Sequence, residues 1–366
     1  MTREQICAVW TVLSCGIPSV QAIKLYNEYG SFEEIYKNRE QIRKPVNFAA
    51  KYAIMAAEDI AETCEKHGFG ILPYGDPLFP KRLSGIKNPP ALFFYRGNVQ
   101  HFQRLNDSPA LAVVGTRSMT PFGQKITAEI TGELASAGVT IISGMAVGID
   151  TIAHESALKA GGFTVAVWGG GLLKLFPAQN AWLAEIIADK GLILTEYPPE
   201  THATKYTFPT RNRIVSGLSD GVFVAEAKEK SGALITANRA LEQNRPVFVA
   251  MTDYSRTGAA EVCELIAEGA TPVTGAQHIL KALNASLKTK LKLPQPIQQL
   301  TLDLTPEPEP EITDPVLIQL QNGALSVDEL ADRTEMDTRT LVTRLAQLEM
   351  DGFITALPGR KYRKAT

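Results

Sequence analysis

The feature that most constrains the fold is an alternation of short apolar runs with helical segments, which begins at Ala110. Six runs of β-branched or other apolar residues follow one another: LAVVG, VTIISG, FTVAVWG, LILTEY, GVFVAEA and PVFVAM. Most are separated by segments with helical spacing, such as FGQKITAEITGELASAG and AWLAEIIADKG. Near-continuous apolar strands that alternate with helices are typical of a mainly parallel sheet covered on both faces. The pattern predicts an α/β fold with a Rossmann-like doubly wound domain over about residues 106–285.

The N-terminal residues 1–70 predict a helical domain. VQAIKLYNEYG and NFAAKYAIMAAEDIAETCEKHG carry apolar residues three or four apart, and glycines end each run. The stretch GIPSVQAIKLYNEYGSFEEIY is similar to helix-hairpin-helix or SAM-like units. Such a unit either meets a DNA backbone through helix N-termini or packs against a partner or the main domain. Residues 71–105 read as short lead-in strands, so the main domain is predicted to span residues 71–285.

The C-terminal part of the chain predicts a linker followed by a small second unit. Residues 286–313 carry many prolines and mixed charges, which is typical of a partly extended linker. Residues 314–366 predict helix, turn, helix and then a hairpin around Pro358 and Gly359. This order is that of a winged helix-turn-helix.

The sequence does not decide what the predicted winged helix binds. Ser326 and Glu329 form a capping-box pattern at the start of its first helix. The predicted recognition helix, residues 338–351, carries only Arg339 and Arg344 as basic residues. The unit is therefore expected to contact either double-stranded DNA or a protein, since the fold does not decide between them. The hairpin and tail hold the remaining basic residues: Arg360, Lys361, Arg363 and Lys364.

Composition excludes few classes of function. The 366 residues are 45% apolar with a net charge of −2, so any contact with nucleic acid must come from a local patch. The start of the chain lacks the pattern of a signal peptide, and no apolar run is long enough to cross a membrane. We therefore expect a cytoplasmic protein without a membrane partner. The cysteines have no metal or redox spacing and are expected to be buried free thiols: Cys7, Cys15, Cys64 and Cys263.

The loops that follow the predicted strands share a composition suited to anions. They are GTRSMTPFG, SGMAVGIDTIAH, GGG, PTRNR and EAKEKSGALITA. Any one of them could serve only as a tight turn or a helix cap, but an open α/β sheet places them along one edge. Backbone N–H groups, hydroxyls and guanidinium groups there predict a phosphate site. The predicted phosphate-binding residues are Gly115, Thr116, Arg117, Ser118, Ser143, Gly144, Gly148, Gly170, Arg211, Asn212, Arg213, Ser231, Gly232 and Thr236.

The spacing of these loops argues against the common nucleotide motifs. The first loop lacks G-x-G-x-x-G, and the second strand ends in IISG without an acid for a ribose. No G-x-x-x-x-G-K-[ST] occurs either. We therefore expect the ligand to be a repeating phosphate backbone that lies across several loops.

The two arginines of PTRNR cannot both point to one patch of a regular helix. Arg211 and Arg213 would point roughly 200° apart, at about 100° per residue. With Thr210 as a possible N-cap, we expect Arg211 in the first turn or the loop. One arginine would face the ligand, and the other would pair with Asp220, Glu226 or the first loop. The alternative is that both are structural ion-pair residues.

Several other side chains leave two interpretations open. Asp150 and His154 lie four residues apart at a helix start, so they form either an acid–base pair or an N-cap with a hydrogen-bonded histidine nearby. The remaining histidines are isolated and predict no metal site. Aromatic residues in or beside the loops either stack bases or belong to the core: Phe122, Phe176 and Phe208.

A series of motifs gives the chain a family resemblance. GTRSMTPFG, SGMAVGIDTIAH, FPAQN, TEYPP, FPTRNRIVSGLSDGVFVAEA, SGALITANRALEQNRPVFV and LIAEGATPV occur in one order at fitting spacings. The chain resembles the DNA-processing protein A (DprA/Smf) family, most densely over residues 72–273. The C-terminal winged helix is similar to that of the longer members.

The resemblance implies a function for the whole chain. It implies a cytoplasmic homodimer that binds and protects incoming single-stranded DNA in natural transformation. It also implies help in loading the RecA recombinase, with no turnover and no cofactor. By position, Arg117, Met145 in SGMAVG and Asn180 in FPAQN would meet phosphates.

The sequence also departs from the family. Ala178 stands where many relatives have Lys or Arg, and Lys174 is the candidate to replace that contact. Glu261 and Cys263 stand where relatives tend to have Gly and Asn.

An enzyme is the alternative hypothesis. Related Rossmann-like proteins of the lysine-decarboxylase-like class cleave nucleoside monophosphates through P-G-G-x-G-T-x-x-E, which the corresponding loop EAKEKSGALIT lacks. A third hypothesis is a nucleotide-sensing module that signals through its winged helix.

Overall fold

The computed structural model divides the chain into two compact units, Met1–Pro294 and Gln295–Thr366. The first contains both the predicted helical domain and the predicted Rossmann-like domain, so residue 70 does not separate two compact bodies. Most of the predicted linker, from residue 294 to residue 313, lies outside the described residues. The structure describes residues 1–42, 54–228, 231–252, 258–293, 314–351, 353–357 and 359–364.

The first unit alternates strands and helices from its second quarter onward. Its helices are α1 (Arg3–Cys15), α2 (Val20–Tyr29), α3 (Phe32–Lys37), α4 (Ile54–Lys66), α5 (His101–Asp107), α6 (Pro121–Ser136), α7 (Ile149–Lys159), α8 (Ala181–Lys190), α9 (Thr207–Gly217), α10 (Gly232–Glu242), α11 (Ala259–Ala267) and α12 (Ala276–Leu287). Its strands are β1 (Gly70–Pro73), β2 (Leu92–Gly97), β3 (Ala110–Gly115), β4 (Thr140–Ser143), β5 (Thr164–Val167), β6 (Leu192–Thr195), β7 (Gly221–Glu226), β8 (Val247–Ala250) and β9 (Thr271–Val273).

The strands form one mixed, mainly parallel sheet, in the order β1-β2-β6-β5-β4-β3-β7-β8-β9 among the described residues. From β6 to β9 all neighbours are parallel, while β2 pairs antiparallel with both β1 and β6. The chain runs outward from β3 to β6 and then returns to β7 on the other side of β3. The predicted doubly wound α/β fold is confirmed, and its topological switch point lies between β3 and β7.

Both faces of the central strands are buried, which explains their near-continuous apolar sequences. Along β7, Val222 and Val224 belong to one core, while Phe223 and Ala225 belong to the core on the opposite face. Alternate residues of a strand point to opposite faces, so a sheet covered on both sides needs apolar residues at every position.

The N-terminal helices share a core with one side of the sheet. Trp10 and Phe32 lie in the same buried cluster as Trp168, which follows β5, and Leu183 of α8. The structure therefore shows the packing role for these helices, and DNA contact by them stays a prediction. Cys263 on α11 is exposed, contrary to the expectation of buried thiols, because its side of the helix faces solvent.

The second unit is a winged helix, as predicted. The capping box of Ser326 and Glu329 is confirmed, and its recognition helix matches the predicted range closely. Pro358 of the predicted hairpin turn lies outside the described residues. The elements are α13 (Pro315–Gln319), β10 (Leu325–Ser326), α14 (Val327–Thr334), α15 (Thr338–Met350), β11 (Ile354–Leu357) and β12 (Lys361–Lys364), with the strand order β10-β12-β11.

Candidate functional site

A cleft of about 700 Å³ opens at the switch point of the sheet. It is formed by the loops after β3, β4 and β7, by Phe176 between β5 and α8, by the first half of α9, and by residues 203–205 before that helix. The structure thus brings together most of the predicted strand-end loops, because the carboxyl ends of parallel strands share one edge. Sequence-predicted residues in its wall are Gly115, Thr116, Arg117, Gly144, Asp150, Phe176, Phe208, Arg211, Asn212, Ser231, Gly232 and Thr236.

The loop after β3 presents Arg117 at the surface on a braced backbone. The Thr116 amide donates to the carbonyl of Glu226 at 2.8 Å, next to the exposed Arg117. Gly148 has a φ of 87°, and a Cβ built on it would come within 2.5 Å of the Thr116 oxygen. Glycine at 148 is therefore required both by the left-handed backbone and by the close approach of this loop.

Glu226 fastens the far end of the same loop. Its Oε2 accepts hydrogen bonds from the amide and the hydroxyl of Thr120, both at 2.9 Å. Thr120 in turn is the N-cap of α6, and its hydroxyl accepts from the Gly123 amide at 3.1 Å. The loop that carries Arg117 is thus held at both ends by β7. Ser118 is exposed on it, and its amide donates to Thr116 Oγ1 at 3.2 Å.

Arg211 crosses the edge of the sheet beneath the cleft. It is only 4% exposed, and Nη1 donates to the Gly144 carbonyl at 2.7 Å and also to the Val167 carbonyl. The adjacent Met145 has a left-handed φ of 63°, an unfavourable conformation for a side chain of this kind. Asp150 Oδ2 accepts from the Gly144 amide at 3.2 Å and holds the same turn.

Burial controls the charges at this end of the cleft. It lowers the pKa of Arg211 to about 10, an effect that Asp150 opposes and Arg117 reinforces, so the guanidinium stays charged at neutral pH. Burial likewise raises the pKa of Asp150, against the attraction of Arg211. The wall of the cleft therefore contains an exposed cation, Arg117, and a buried one, Arg211.

Arg213 points to a different part of the structure. It is 6% exposed and forms an ion pair of 2.6 Å with Glu196, which follows β6. The predicted partners were wrong, because Asp220 binds Arg82 at 2.8 Å and Glu226 binds Thr120. Within the described residues, Arg213 is an internal ion-pair residue rather than part of the cleft wall, which corrects its assignment as a phosphate ligand.

The start of α9 also differs from the prediction. The helix begins at Thr207, so Thr210 is not its N-cap and its hydroxyl donates to the Tyr206 carbonyl at 2.9 Å. The earlier start arises because Thr204 and Thr207 bond each other: the Thr204 amide donates to Thr207 Oγ1 at 2.9 Å. Pro209 is tolerated in the first turn, where backbone N–H groups lack helical partners. Arg211 therefore lies inside the helix rather than in the loop.

Two aromatic rings form one wall of the cleft. Phe176 is 54% exposed, and its ring centroid lies 6.0 Å from that of Phe208, with the planes tilted by 53°. The Arg117 guanidinium carbon lies 5.3 Å from the Phe208 centroid. Phe122 lies elsewhere: it packs against the core beneath α6 and lines a separate small cavity, so it is not placed to stack with this pair.

Some predicted residues support the loops from behind. The Ser143 hydroxyl is fully buried and donates to the Val113 carbonyl at 2.7 Å. Asn180 Nδ2 donates to the Met145 carbonyl at 2.9 Å and to Thr151 Oγ1 at 3.0 Å. The hydroxyl of Ser143 and the amide nitrogen of Asn180 are thus used within the protein, while the phosphate contacts expected of the Ser143 backbone and of Asn180 stay predictions.

The glycines and Lys174 of the third loop do not line the cleft, although Phe176 of the same β5–α8 connection does. Gly170 is buried, and its carbonyl accepts from Thr195 Oγ1 at 2.8 Å. Lys174 forms an ion pair of 2.6 Å with Glu200. A carboxylate thus competes for the cation that was expected to replace the contact missing at Ala178.

Asp150 and His154 are engaged by different partners. Gly148 occupies the N-cap of α7, so Asp150 lies within the first turn rather than at the cap. Thr164 Oγ1 donates to the Ile141 carbonyl at 2.9 Å, so it accepts from His154 Nδ1 at 2.6 Å. Burial lowers the pKa of His154 to about 3, which keeps the imidazole neutral. The arrangement is the hydrogen-bonded histidine alternative, not an acid–base pair.

Sequence reasoning missed the rim formed by Ala203, Thr204 and Lys205. These residues lie just before the start of α9 at Thr207, and the sequence signal that could have found them is the lysine close to the PTRNR segment. In the described ranges, no three His, Cys, Asp or Glu residues cluster as a metal site would require. No helix among them is long and apolar enough to cross a membrane.

The fold and cleft together define a Rossmann-like protein with a ligand-sized cleft at its switch point and a winged helix in the same chain. The family model described as DNA recombination-mediator protein A matches residues 70–284, and the DprA winged helix domain matches residues 301–360. The chain belongs to the DNA recombination-mediator protein A family, which includes proteins named DprA and Smf.

Relatives and solved structures agree with this assignment. The DNA processing protein DprA of Streptococcus pneumoniae is 40% identical over 240 residues, covering 65% of this chain and 82% of the relative. Protein Smf of Synechocystis is 36% identical over 317 residues, or 79% of this chain and 78% of the relative. The X-ray structure of the pneumococcal DprA has a TM-score of 0.63 and 34% identity, covering 77% of this chain and 98% of that one.

A second solved structure concerns DNA processing protein A from Helicobacter pylori and its single-stranded DNA binding mode. It has a TM-score of 0.53 and 31% identity, and covers 60% of this chain and 96% of that one.

Proposed function

We propose that this chain binds single-stranded DNA in the cleft, protects it, and promotes loading of the RecA recombinase during natural transformation. The observation that carries the proposal is Arg117, an exposed guanidinium held on a braced strand-end loop beside the aromatic wall. Family membership supports it, as does the single-stranded DNA binding described for the Helicobacter pylori relative.

The proposed contacts divide between phosphates and bases. Arg117 and Arg211 bind phosphate oxygens, together with the open backbone N–H groups at the start of α10, where Gly232 is exposed. Bases stack on Phe176 and Phe208. Every base has an aromatic face, so such a site shows little sequence preference.

The assembly is also part of the proposal. The family resemblance implies a homodimer that acts in the cytoplasm, hands the strand to RecA, and holds DNA without turnover.

Three polar residues in the wall of the cleft are proposed as further contacts to the strand: Asn212, Ser231 and Thr236.

The test is fluorescence anisotropy with labelled oligo-dT and a matched duplex over a salt series. We expect tight binding to the single strand that weakens steeply with salt, because phosphate contacts release counterions. Arg117→Glu should remove binding without unfolding the protein. Arg239→Glu is the control, since Arg239 is a surface residue of α10 that pairs with Glu242. Normal binding by Arg117→Glu would contradict the proposed site.

A nucleotide-binding or nucleotide-hydrolysing enzyme is the second candidate. It is favoured by the size of the cleft, which lies within the range of small-molecule sites, and by the carboxyl group of Asp150 in its wall. Incubation with nucleoside monophosphates should release base if this is correct. Tight, salt-insensitive nucleotide binding without any oligonucleotide binding would favour the enzyme over the DNA-binding protein.

A further inference from the structure

We propose that Tyr206 is a base-stacking platform at the mouth of the cleft, which extends the single-stranded DNA site by one nucleotide beyond the cleft. The inference rests on the proposed DNA binding. Tyr206 precedes α9 by one residue and lies between Lys205 and Phe208, both of which line the cleft. The motif that marks this segment begins only at Phe208, so the tyrosine lies outside it.

The ring of Tyr206 is left in solvent. Among the exposed large apolar side chains of the described residues, Tyr206 has the highest exposure, at 72%. An aromatic ring usually gains stability by burying its faces against other side chains. Tyr206 gains little in this way, so packing of the unit does not account for an aromatic residue here.

The backbone that carries this ring is nonetheless well fixed. The Tyr206 amide donates to Thr204 Oγ1 at 3.3 Å, and its carbonyl accepts from Thr210 Oγ1 at 2.9 Å. The Thr207 hydroxyl closes the turn by donating to the Thr204 carbonyl at 3.0 Å. Tyr206 is therefore an exposed ring on an ordered turn, and a ring fixed in advance loses less freedom when a base stacks on it.

Lys205 supplies the charge that a strand needs beside a stacked base. Its Nζ lies 5.1 Å from the centroid of the Tyr206 ring, within the range of a cation–π contact. The same lysine lines the cleft, so one cation both contacts the Tyr206 ring and belongs to the wall of the proposed phosphate site. A base on Tyr206 and a phosphate at Lys205 would continue the strand outward from the aromatic pair of the cleft.

The surroundings of Tyr206 favour a nucleic acid over a protein. Thr204 and Lys205 are exposed and polar, while the guanidinium carbons of Arg117 and Arg211 lie 5.3 and 6.0 Å from the Phe208 ring centroid. The cores of protein interfaces are depleted in lysine and pack apolar groups together. Isolated rings among cations are instead the arrangement with which proteins hold single strands.

The experiment measures affinity as a function of strand length. Labelled oligo-dT from about four to about twenty nucleotides is titrated against the full chain by anisotropy. Tyr206→Ala should weaken binding of the longer strands by about 5- to 150-fold and leave binding of the shortest strands unchanged. The affinity of Tyr206→Ala should change with salt as steeply as that of the wild type, because the substitution removes no phosphate contact. Tyr206→Phe should restore binding, and Phe353→Ala, an exposed aromatic residue of the other unit, is the matched control.

A stacking probe gives the second readout. In a strand with one 2-aminopurine at successive positions, one position should be quenched by the wild type and by Tyr206→Phe, but not by Tyr206→Ala. Unchanged binding by Tyr206→Ala at every length would overturn the proposal, and so would an equal loss at every length. Loss of self-association with unchanged DNA binding would assign the ring to a protein contact and also overturn it.

The outcome for Tyr206 is separable from that for the proposed function. If the wild type binds no oligonucleotide, the DNA-binding proposal itself fails. If the wild type binds, Arg117→Glu does not, and Tyr206→Ala behaves as the wild type, only the inference about Tyr206 fails.

Discussion

The guanidinium group of Arg211 occupies the space that any side chain at residue 144 would need. A Cβ built on Gly144 would lie 2.3 Å from Nη1 of Arg211, and that nitrogen also donates to the Gly144 carbonyl at 2.7 Å. Glycine at this strand end is thus what allows a buried arginine to reach the cleft from the adjacent helix.

Gly144→Ala should therefore displace Arg211. We expect a loss of stability of about 1–3 kcal/mol from overpacking and a clear loss of affinity for oligo-dT. Urea unfolding and anisotropy measure the two effects. Gly132→Ala is the control, since a Cβ there meets no atom within 4 Å. Wild-type affinity in Gly144→Ala would mean that the position of Arg211 does not matter for binding.

The ion pair of Arg213 with Glu196 predicts a stability defect instead. Arg213→Ala leaves the carboxylate of Glu196, itself only 2% exposed, without its partner, and should cost about 3–5 kcal/mol. Arg211→Ala also loses hydrogen bonds to the Gly144 and Val167 carbonyls, but unlike Arg213→Ala it should lower the DNA affinity of the folded protein. Chemical denaturation beside anisotropy distinguishes the two, and equal defects in both assays would contradict the division of roles.

The pair of Arg213 and Glu196 also predicts a change with pH. Burial raises the pKa of Glu196, while Arg213 opposes this rise. An acid with a raised pKa binds more protons in the folded state, so stability falls as pH rises from its unfolded pKa through the folded one. Arg213→Ala should steepen that fall above about pH 4.5, which unfolding curves between pH 4.5 and 7 would reveal. An unchanged pH slope would show that Arg213 does not influence Glu196.

His154 predicts the opposite slope. Burial lowers its pKa to about 3, so the unfolded chain binds a proton that the folded chain rejects, and stability is lost as pH falls below about 6.5. This group contributes about 1.4 kcal/mol per pH unit between those values. His154→Gln should reduce the slope of stability against pH between pH 6.5 and 5. A slope equal to that of the wild type would exclude His154 as its source.

Glu226 predicts an indirect effect on binding. Glu226→Ala removes the acceptor for the amide and hydroxyl of Thr120 and should cost about 1–3 kcal/mol of stability. The loop with Arg117 should then lose its fixed position, so affinity should fall although no ligand-facing group is changed. Glu129→Ala, on the exposed face of α6, should leave both quantities unchanged.

The sequence predicted the sheet and the edge of the cleft for a clear physical reason. Strands buried on both faces need unbroken apolar runs, and the parallel order then places their loops together. Val222 to Ala225 illustrate the first point, and Arg117 near Arg211 the second.

Individual side-chain directions were less predictable. Arg213 faces Glu196, a partner that lies 17 residues away along the chain and that only the folded structure brings beside it. Ser143 and Asn180 are residue types that often contact ligands. Here the Ser143 hydroxyl donates to a carbonyl, and the Asn180 amide donates to a carbonyl and to the hydroxyl of Thr151. Hydrogen-bond partners that lie far apart along the chain cannot be predicted from the spacing of residues in one sequence.

The switch point between β3 and β7 has a consequence for how binding and stability are linked. Leu111 pairs there with Gly221, although more than a hundred residues separate them along the chain. The cleft exists only after both halves of the sheet have joined, so its ligand binds the completed fold and not either half. Each tenfold rise in free ligand above its dissociation constant should therefore add about 1.4 kcal/mol to the stability of both halves together.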